Sequence, residues 1–163
     1  MMRRRLRELD FMEAQIREIE AQLNHIGRQD ARVALLRTIP GVGPRTAEAV
    51  AAFADEIKRF KDRKRFAAYF GLVPTLDASA DVVRRGHITK HGPSVVRWVL
   101  AEATHQAIRR SPAFARVFAR MHRGVRERYK KAVVGVARKL VTVMFAMLRD
   151  ARPYDEAKIL RAA

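Results

Sequence analysis

The sequence predicts a mainly all-α protein: an N-terminal coiled-coil helix followed by a compact helical domain that contains a helix-hairpin-helix and an irregular loop. Three observations lead there. Apolar residues recur at helical spacings along most of the 163 residues. Proline and glycine fall where helices start and stop. In one stretch, Thr75 to Gly92, no helical period persists.

From Leu9 to Ile26 the residues Leu9, Met12, Ile16, Ile19, Leu23 and Ile26 alternate spacings of three and four, the heptad seam of a coiled coil. About three heptads are marginal alone, so a partner helix is expected over the seam, with packing onto the chain's own domain as the alternative. Gly27 to Asp30 is expected to break this helix. Residues 1–30 are therefore read as a connector, 31–155 as the helical domain and 156–163 as a tail.

Ala31 to Thr38 resumes a helical pattern, which gives way at Ile39, Pro40, Gly41, Val42, Gly43 and Pro44 before a second helix runs towards Phe53. Pro44 suits a first helical position, and the two glycines permit the positive φ angles of a tight hairpin. A third helix is expected over Arg63 to Phe70, ended by Gly71, Leu72, Val73 and Pro74. Thr75 to Gly92 reads as a loop or short hairpin, with Asp81 to Arg85 as its strand candidate. Gly92 and Pro93 reopen a helix to about Arg110, with Val95, Val96, Val99, Leu100, Ala103 and Ala107 on its inner face. Ser111 and Pro112 form an N-cap and first-position pair. The last long helix, Lys130 to Asp150, is apolar enough to be central to the core.

Lys and Arg number 34 against 17 Asp and Glu, a formal net charge of +17. Such an excess seeks a polyanion. With 48% apolar residues the chain has enough for one core, which excludes a disordered basic tail. It has no cysteine, which excludes disulfides and thiolate metal sites and suits a reducing cytoplasm. Arg3, Arg4 and Arg5 are followed by no apolar segment of signal-peptide kind. Ala132 to Leu148, the most apolar stretch, carries Arg138 and Lys139 and falls short of the roughly 20 residues a bilayer requires. A soluble, cytoplasmic and nucleoid-associated protein is expected, with no membrane contact.

Three places carry candidate chemistry. In the glycine hairpin, the free N–H groups opening the second helix can bind phosphate without sequence preference, aided by Gly41, Gly43, Arg45 and Thr46; a purely structural turn is the alternative. Between Arg84 and Lys131 thirteen Lys and Arg face only Glu102 and Glu127, and Lys130 and Lys131 oppose the dipole at a helix N-terminus. A phosphate backbone would compensate. The loop Thr75 to Gly92 gathers Asp77, Ser79, Asp81, Arg84, Arg85, His87, Thr89, Lys90 and His91. A serine among cations fits phosphoryl transfer, because the cations depress its pKa and hold the charge of a pentavalent phosphate; an inert loop serine is the bland alternative. His87 and His91 lie four apart, but the intervening residues argue against zinc, and no metal site is expected.

At these residues the chain also resembles a known family. Thr38 to Ala47, then Arg59, Phe60 and Lys61, then Ala67 to Pro74 read like the C-terminal domain of the insertion-sequence one-ten family of transposases. Arg84 to Gly92 resembles that family's Arg-Gly-x-Ile-x-Lys-x-Gly segment, and Val136 to Leu140 through Pro153 and Tyr154 its closing helix. The similarity covers about Leu35 to Asp155.

The resemblance implies an RNA-guided recombinase built from a RuvC-like domain with four acidic metal ligands, a coiled-coil connector and this serine-bearing domain. By position Ser79 matches the family's serine, although the family often has two adjacent serines before a glycine where this chain has Ala78, Ser79 and Ala80. Only a connector precedes the hairpin here, so the acidic domain is expected to be lost or supplied in trans, and Mg2+ is expected in that domain alone. The implied partners are DNA, a structured guide RNA and further copies through the coiled coil. Arg84, Arg85, His87, Thr89, Lys90, Lys130 and Lys131 are the expected nucleic-acid contacts beside the hairpin residues. A helix-hairpin-helix DNA- or RNA-binding module without chemistry is the alternative; a helical scaffold leaves the charge asymmetry unexplained.

Overall fold

The computed structural model describes the backbone of residues 2–79 and 82–161 and the side chains of residues 4–75 and 86–161. The first helix, α1 (Met2–Gln29), runs unbroken through Gly27, where the sequence led us to expect its end. Glycine inside a helix costs about 1 kcal/mol relative to alanine. Here it is held by close packing: a Cβ on Gly27 would come within 2.6 Å of a carboxylate oxygen of Glu48. The break falls at Asp30, whose carboxylate accepts from the Arg32 N–H at 2.8 Å and so caps α2 (Ala31–Leu36).

A turn through Ile39 and Gly41 leads to α3 (Pro44–Ala54), with Pro44 in the first turn as its fixed φ favours. Asp62 then caps α4 (Arg63–Tyr69), accepting from the N–H groups of Lys64 and Arg65 at 2.7 and 2.9 Å. Phe66 is fully buried and meets the rings of Phe60, Phe70 and Phe145 edge-on or tilted, with centroids 4.9, 5.0 and 5.5 Å away.

The expected loop is a two-stranded antiparallel hairpin, β1 (Pro74–Ser79) and β2 (Val82–Ile88). Two features hide it in the sequence. The strands form a pair with no further strand beside them among the described residues, and the register slips between Pro74 and Leu76, so that one residue, Thr75, opposes Gly86 and His87. This β-bulge erases the period of two. The hairpin's base is closed backbone against backbone. Gly71 (φ +68°) and Gly92 (φ +80°) sit so tightly that a Cβ would fall 2.3 Å from the His91 carbonyl and 2.1 Å from that of Tyr69. The Arg97 guanidinium donates to the carbonyls of His91 and Gly92, both at 2.9 Å.

Helix α5 (Ser94–Arg110) buries Val96, Leu100, Ala103, Thr104 and Ala107. Val95, expected inside, is 55% exposed, because the buried stripe follows Val96. Ser111 caps α6 (Pro112–His122), as the Ser-Pro pair predicts. The long α7 (Tyr129–Asp150) buries Val136, Leu140, Val141 and Met144 at the centre of the core, packed against α2, α4, α5 and α6. Residues 156–161, read as part of a tail, form α8 (Glu156–Arg161) docked on α6. The dock is polar and specific. Ser111 donates to Glu156 at 2.6 Å, which leaves the Tyr154 hydroxyl to donate back to Ser111 Oγ at 2.9 Å.

Two predictions follow from the turns and caps. At Gly41 (φ +91°) a Cβ would lie 2.4 Å from the Ala107 amide of α5, whereas Gly43 (φ −83°) has open space around it. The hairpin therefore needs one glycine, not two. Gly41→Val should cost at least about 2 kcal/mol of stability, while Gly43→Ala should leave the thermal midpoint within about a degree or two. Second, hydrogen bonds from the Arg32 side chain hold the Asp30 carboxyl below its usual range, with the capped backbone adding to them. A depressed carboxylate contributes stability above its unfolded-state pKa and loses it as pH falls through the folded value. Asp30→Ala should cost about 1 kcal/mol at neutral pH, and in unfolding measurements the gap to the parent protein should close as pH falls below the ordinary carboxylate range.

Candidate nucleic-acid interface

Burial of apolar helix faces holds this fold together, and its cations are left largely unmatched. Among the described residues four ion pairs form, and none involves a residue between 86 and 131. Lys130 and Lys131 lie exposed in the first turn of α7, which has no acidic residue. A 3-10 turn, Arg126–Arg128, leads into it. Phe118 anchors this basic corner: it stacks on His122 at 5.1 Å and meets Tyr129 edge-on at 5.6 Å.

The hairpin carries the remaining expected contacts. Its register pairs Ser79 with Val82 and, two and three positions along, Asp77 with Arg84 and Leu76 with Arg85. The side chains of Ser79, Arg84 and Arg85 lie outside the described residues. His87 is exposed, and its carbonyl accepts from the Thr75 hydroxyl at 3.1 Å. Lys90 is exposed in a left-handed conformation (φ +56°). The Thr89 N–H bonds the Val73 carbonyl at 2.9 Å, and the buried Thr89 hydroxyl has no hydrogen-bond partner among the described residues.

The glycine turn before α3 is arranged differently from the phosphate cradle expected there. Arg45 pairs with Glu48 at 2.6 Å and reaches back to α1, donating to the Asn24 side chain at 2.9 Å and the Glu20 carbonyl at 3.1 Å. Thr46 is buried, its hydroxyl 3.4 Å from the Val99 carbonyl. Both side chains thus serve internal joints, one to α1 and one to α5, and the turn itself leans on α5 through Gly41. Gly43 and Pro44 remain exposed.

Two features escaped the sequence reading. Trp98, the one tryptophan, is 64% exposed on the outer face of α5 and lines an open cleft with Lys90 and Arg97. Its position was legible, since two residues from Val96 lies the opposite side of a helix. A second, larger concavity of about 650 Å³ lies between the start of α4, the last turns of α7 and α8, where Lys61, Arg63, Lys139, Arg149, Arg152 and Lys158 outnumber Asp62, Asp150 and Asp155 in its walls and Arg149 pairs with Asp150. It joins cations up to 97 positions apart, from Lys61 to Lys158, which no local pattern links. Burial, together with the nearby charges of Arg63 and Arg120, pushes the Lys139 ammonium below the usual lysine range. No group of His, Asp and Glu among the described residues is placed to hold a metal ion, and no described helix is long and apolar enough to cross a membrane.

The model of the transposase IS116/IS110/IS902 family matches residues 33–119, which span α2 to α6. The chain belongs to this transposase family. A probable family 20 transposase of Pseudomonas aeruginosa is 33% identical over 143 residues, 86% of this chain and 42% of that protein. A pilin gene-inverting protein of Moraxella bovis is 29% identical over 151 residues, 91% of this chain and 45% of its own. An insertion element IS110 protein of Streptomyces coelicolor is 27% identical, over 90% of this chain and 36% of its own. The chain thus spans less than half the length of these relatives. The family match takes in the hairpin, the glycine clasp at its base and Trp98, but ends before α7.

Lys139 gives a test of the cation-rich concavity. A lysine whose pKa is lowered in the folded protein destabilises it while protonated, and this cost disappears as pH rises towards the ordinary lysine value. Lys139→Met should therefore raise the thermal midpoint at neutral pH, with the gain shrinking at alkaline pH. A midpoint unchanged or lowered at neutral pH counts against the unmatched-cation description.

Proposed function

We propose that this chain is the serine-bearing, nucleic-acid-binding part of a transposase of this family, acting in DNA transposition or site-specific recombination. The observation that carries the reading is the run of cations between residues 86 and 131 that form no ion pair among the described residues, in a chain whose family match covers residues 33–119, the hairpin included. His87, Lys90, Lys130 and Lys131 are exposed, and we assign Arg84 and Arg85 to the same surface by their place on the hairpin, whereas the buried hydroxyl of Thr89 suits it to a supporting rather than a contacting place. The family's name and the resemblance of the Arg84–Gly92 segment support DNA as one partner and structured guide RNA as a second.

Ser79 is the proposed nucleophile. Its Oγ forms a bond to phosphorus as one phosphodiester P–O bond breaks, and the serine proton ends on the released sugar hydroxyl. Energy of the phosphodiester is thereby conserved for rejoining. The place of Ser79 on β1, where the resemblance puts the family's serine, supports the assignment. A RuvC-like domain, with its own Mg2+, supplies the acidic half of the reaction. The exposed seam of α1, where Leu9, Ile16 and Ile26 are 52, 55 and 64% exposed, supports pairing with another copy as a coiled coil.

Binding to duplex DNA should weaken steeply with salt, with a log–log slope of about −4 or steeper, since each phosphate neutralised contributes roughly −0.9. A slope near zero sinks the electrostatic reading. Ser79→Ala should leave stability and DNA affinity within roughly 0.5 kcal/mol of the parent. Supplied with a RuvC-like domain and guide RNA, the parent should form a protein–DNA adduct that survives denaturation, and the variant should not. Equal adduct from both would show that another group attacks; adduct from neither would favour a binding module without chemistry.

A further inference from the structure

Trp98 is the least expected side chain in the fold. It projects from α5 at 64% exposure although a tryptophan buries more apolar area than any other residue when it packs inward. It does not stand on an apolar patch awaiting a protein. It forms one wall of an open cleft of about 240 Å³, with Leu72 and Ile88 at the hairpin's base, Ala101 on α5, and Val133 and Val134 on α7 completing an apolar lining. The rim is cationic: Lys90 and Arg97 line the cleft, and among the described residues no aspartate or glutamate does. Lys130, exposed one helical turn before Val133 and Val134, shares their side of α7. An apolar partner segment would gain nothing from such a rim, whereas a planar apolar group attached to phosphates matches both wall and rim.

We propose that this cleft is a stacking site for an unpaired nucleobase, with Trp98 as the platform and Lys90, Arg97 and Lys130 holding the flanking phosphates. Base-on-aromatic stacking tolerates any base and needs one that has left its duplex. A single heterocycle fits a cleft of about 240 Å³ with one aromatic wall. Arg97 is a fixed rather than a roaming charge, because the His91 and Gly92 carbonyls orient its guanidinium while no carboxylate among the described residues pairs with it. The same two hydrogen bonds tie the platform's helix to the base of the hairpin. Strand exchange must pass through unpaired bases, and the cleft would hold one at a set distance from β1 and β2. This proposal rests on the nucleic-acid-binding reading above, but adds that single-stranded nucleotides are recognised separately from duplex.

The test compares the parent chain, Trp98→Phe and Trp98→Ala on three labelled probes of one sequence: single-stranded DNA, single-stranded RNA and blunt duplex DNA, by fluorescence anisotropy. Trp98→Ala should lose about tenfold in affinity for a single strand with duplex affinity and thermal midpoint unchanged, and Trp98→Phe should retain most of it. Because Trp98 is the sole tryptophan, its own emission in the parent chain should be quenched by a single strand and much less by duplex. A larger loss on RNA than on DNA identifies the guide strand as the source of the base; the reverse identifies the DNA strand. Parent and Trp98→Ala binding single strands equally overturns the cleft proposal while leaving the binding reading intact, as does an equal loss on single strand and duplex. Failure of the parent chain to bind any of the three probes overturns both.

Discussion

The burial of one helix organises everything else in this protein. Alpha-helices of six or seven residues such as α2 and α4 are too short to persist alone. They exist because α7 offers a wide inward face, Ala132, Val136, Leu140 and Met144 on one row and Ala137, Val141 and Phe145 on the next, for α2, α4, α5 and α6 to cover. Small residues bring the backbones close: Gly135 of α7 lies so near α6 that a Cβ would meet the Met121 sulfur at 2.3 Å. Each large side chain so buried is worth roughly 1.5–3 kcal/mol, and this apolar term must carry a chain in which charge contributes little to cohesion.

That division of labour explains the electrostatics. A protein stabilised by its core can leave cations unpaired, and a surface of unpaired cations repels itself at a cost in stability. Lys139, depressed by burial and by Arg63 and Arg120, is the plainest instance. Ligands that bind only the folded state repay such costs by mass action, so a polyanion on this surface is expected to firm the fold it binds. Two of the four ion pairs are structural: Arg32 supports the Asp30 cap and bonds the Asp55 carbonyl, and Arg45 joins α3 to α1.

Much of the fold was legible because helices announce their ends. Ser111-Pro112, Pro44 and Gly92-Pro93 placed three helix starts, and the spacing of Val136, Leu140 and Met144 marked α7 as central. The misreadings have physical causes. Gly27 looked like a break because propensity is local, while its packing partner Glu48 lies 21 residues on. The bulge at Gly86 and His87 hid the strands' alternation, and the short α8 exists through contacts to Ser111 that a local pattern cannot contain. At the candidate site, the sequence indicated the hairpin and the basic start of α7 through composition alone. It overestimated Arg45 and Thr46, whose chemistry suits phosphate but whose side chains are spent on internal bonds, and it passed over Trp98, since an isolated aromatic carries no periodic signal.

The joint between α1 and α3 has a mechanical consequence. With 28 residues, α1 extends about 42 Å, yet it is held at one end, by Arg45 on Asn24 and Glu20 and by Gly27 against Glu48. It is a lever with a short grip and a long arm. A rotation of ten degrees at the grip sweeps the far tip through about 7 Å, and a force on the tip returns to the grip multiplied by the same ratio. Arg45 neighbours the very turn that leans on α5 through Gly41, and α5 carries both the hairpin's anchor Arg97 and Trp98. Torque applied to α1 by anything joined to its far end therefore has a short, stiff route into the elements beside the hairpin.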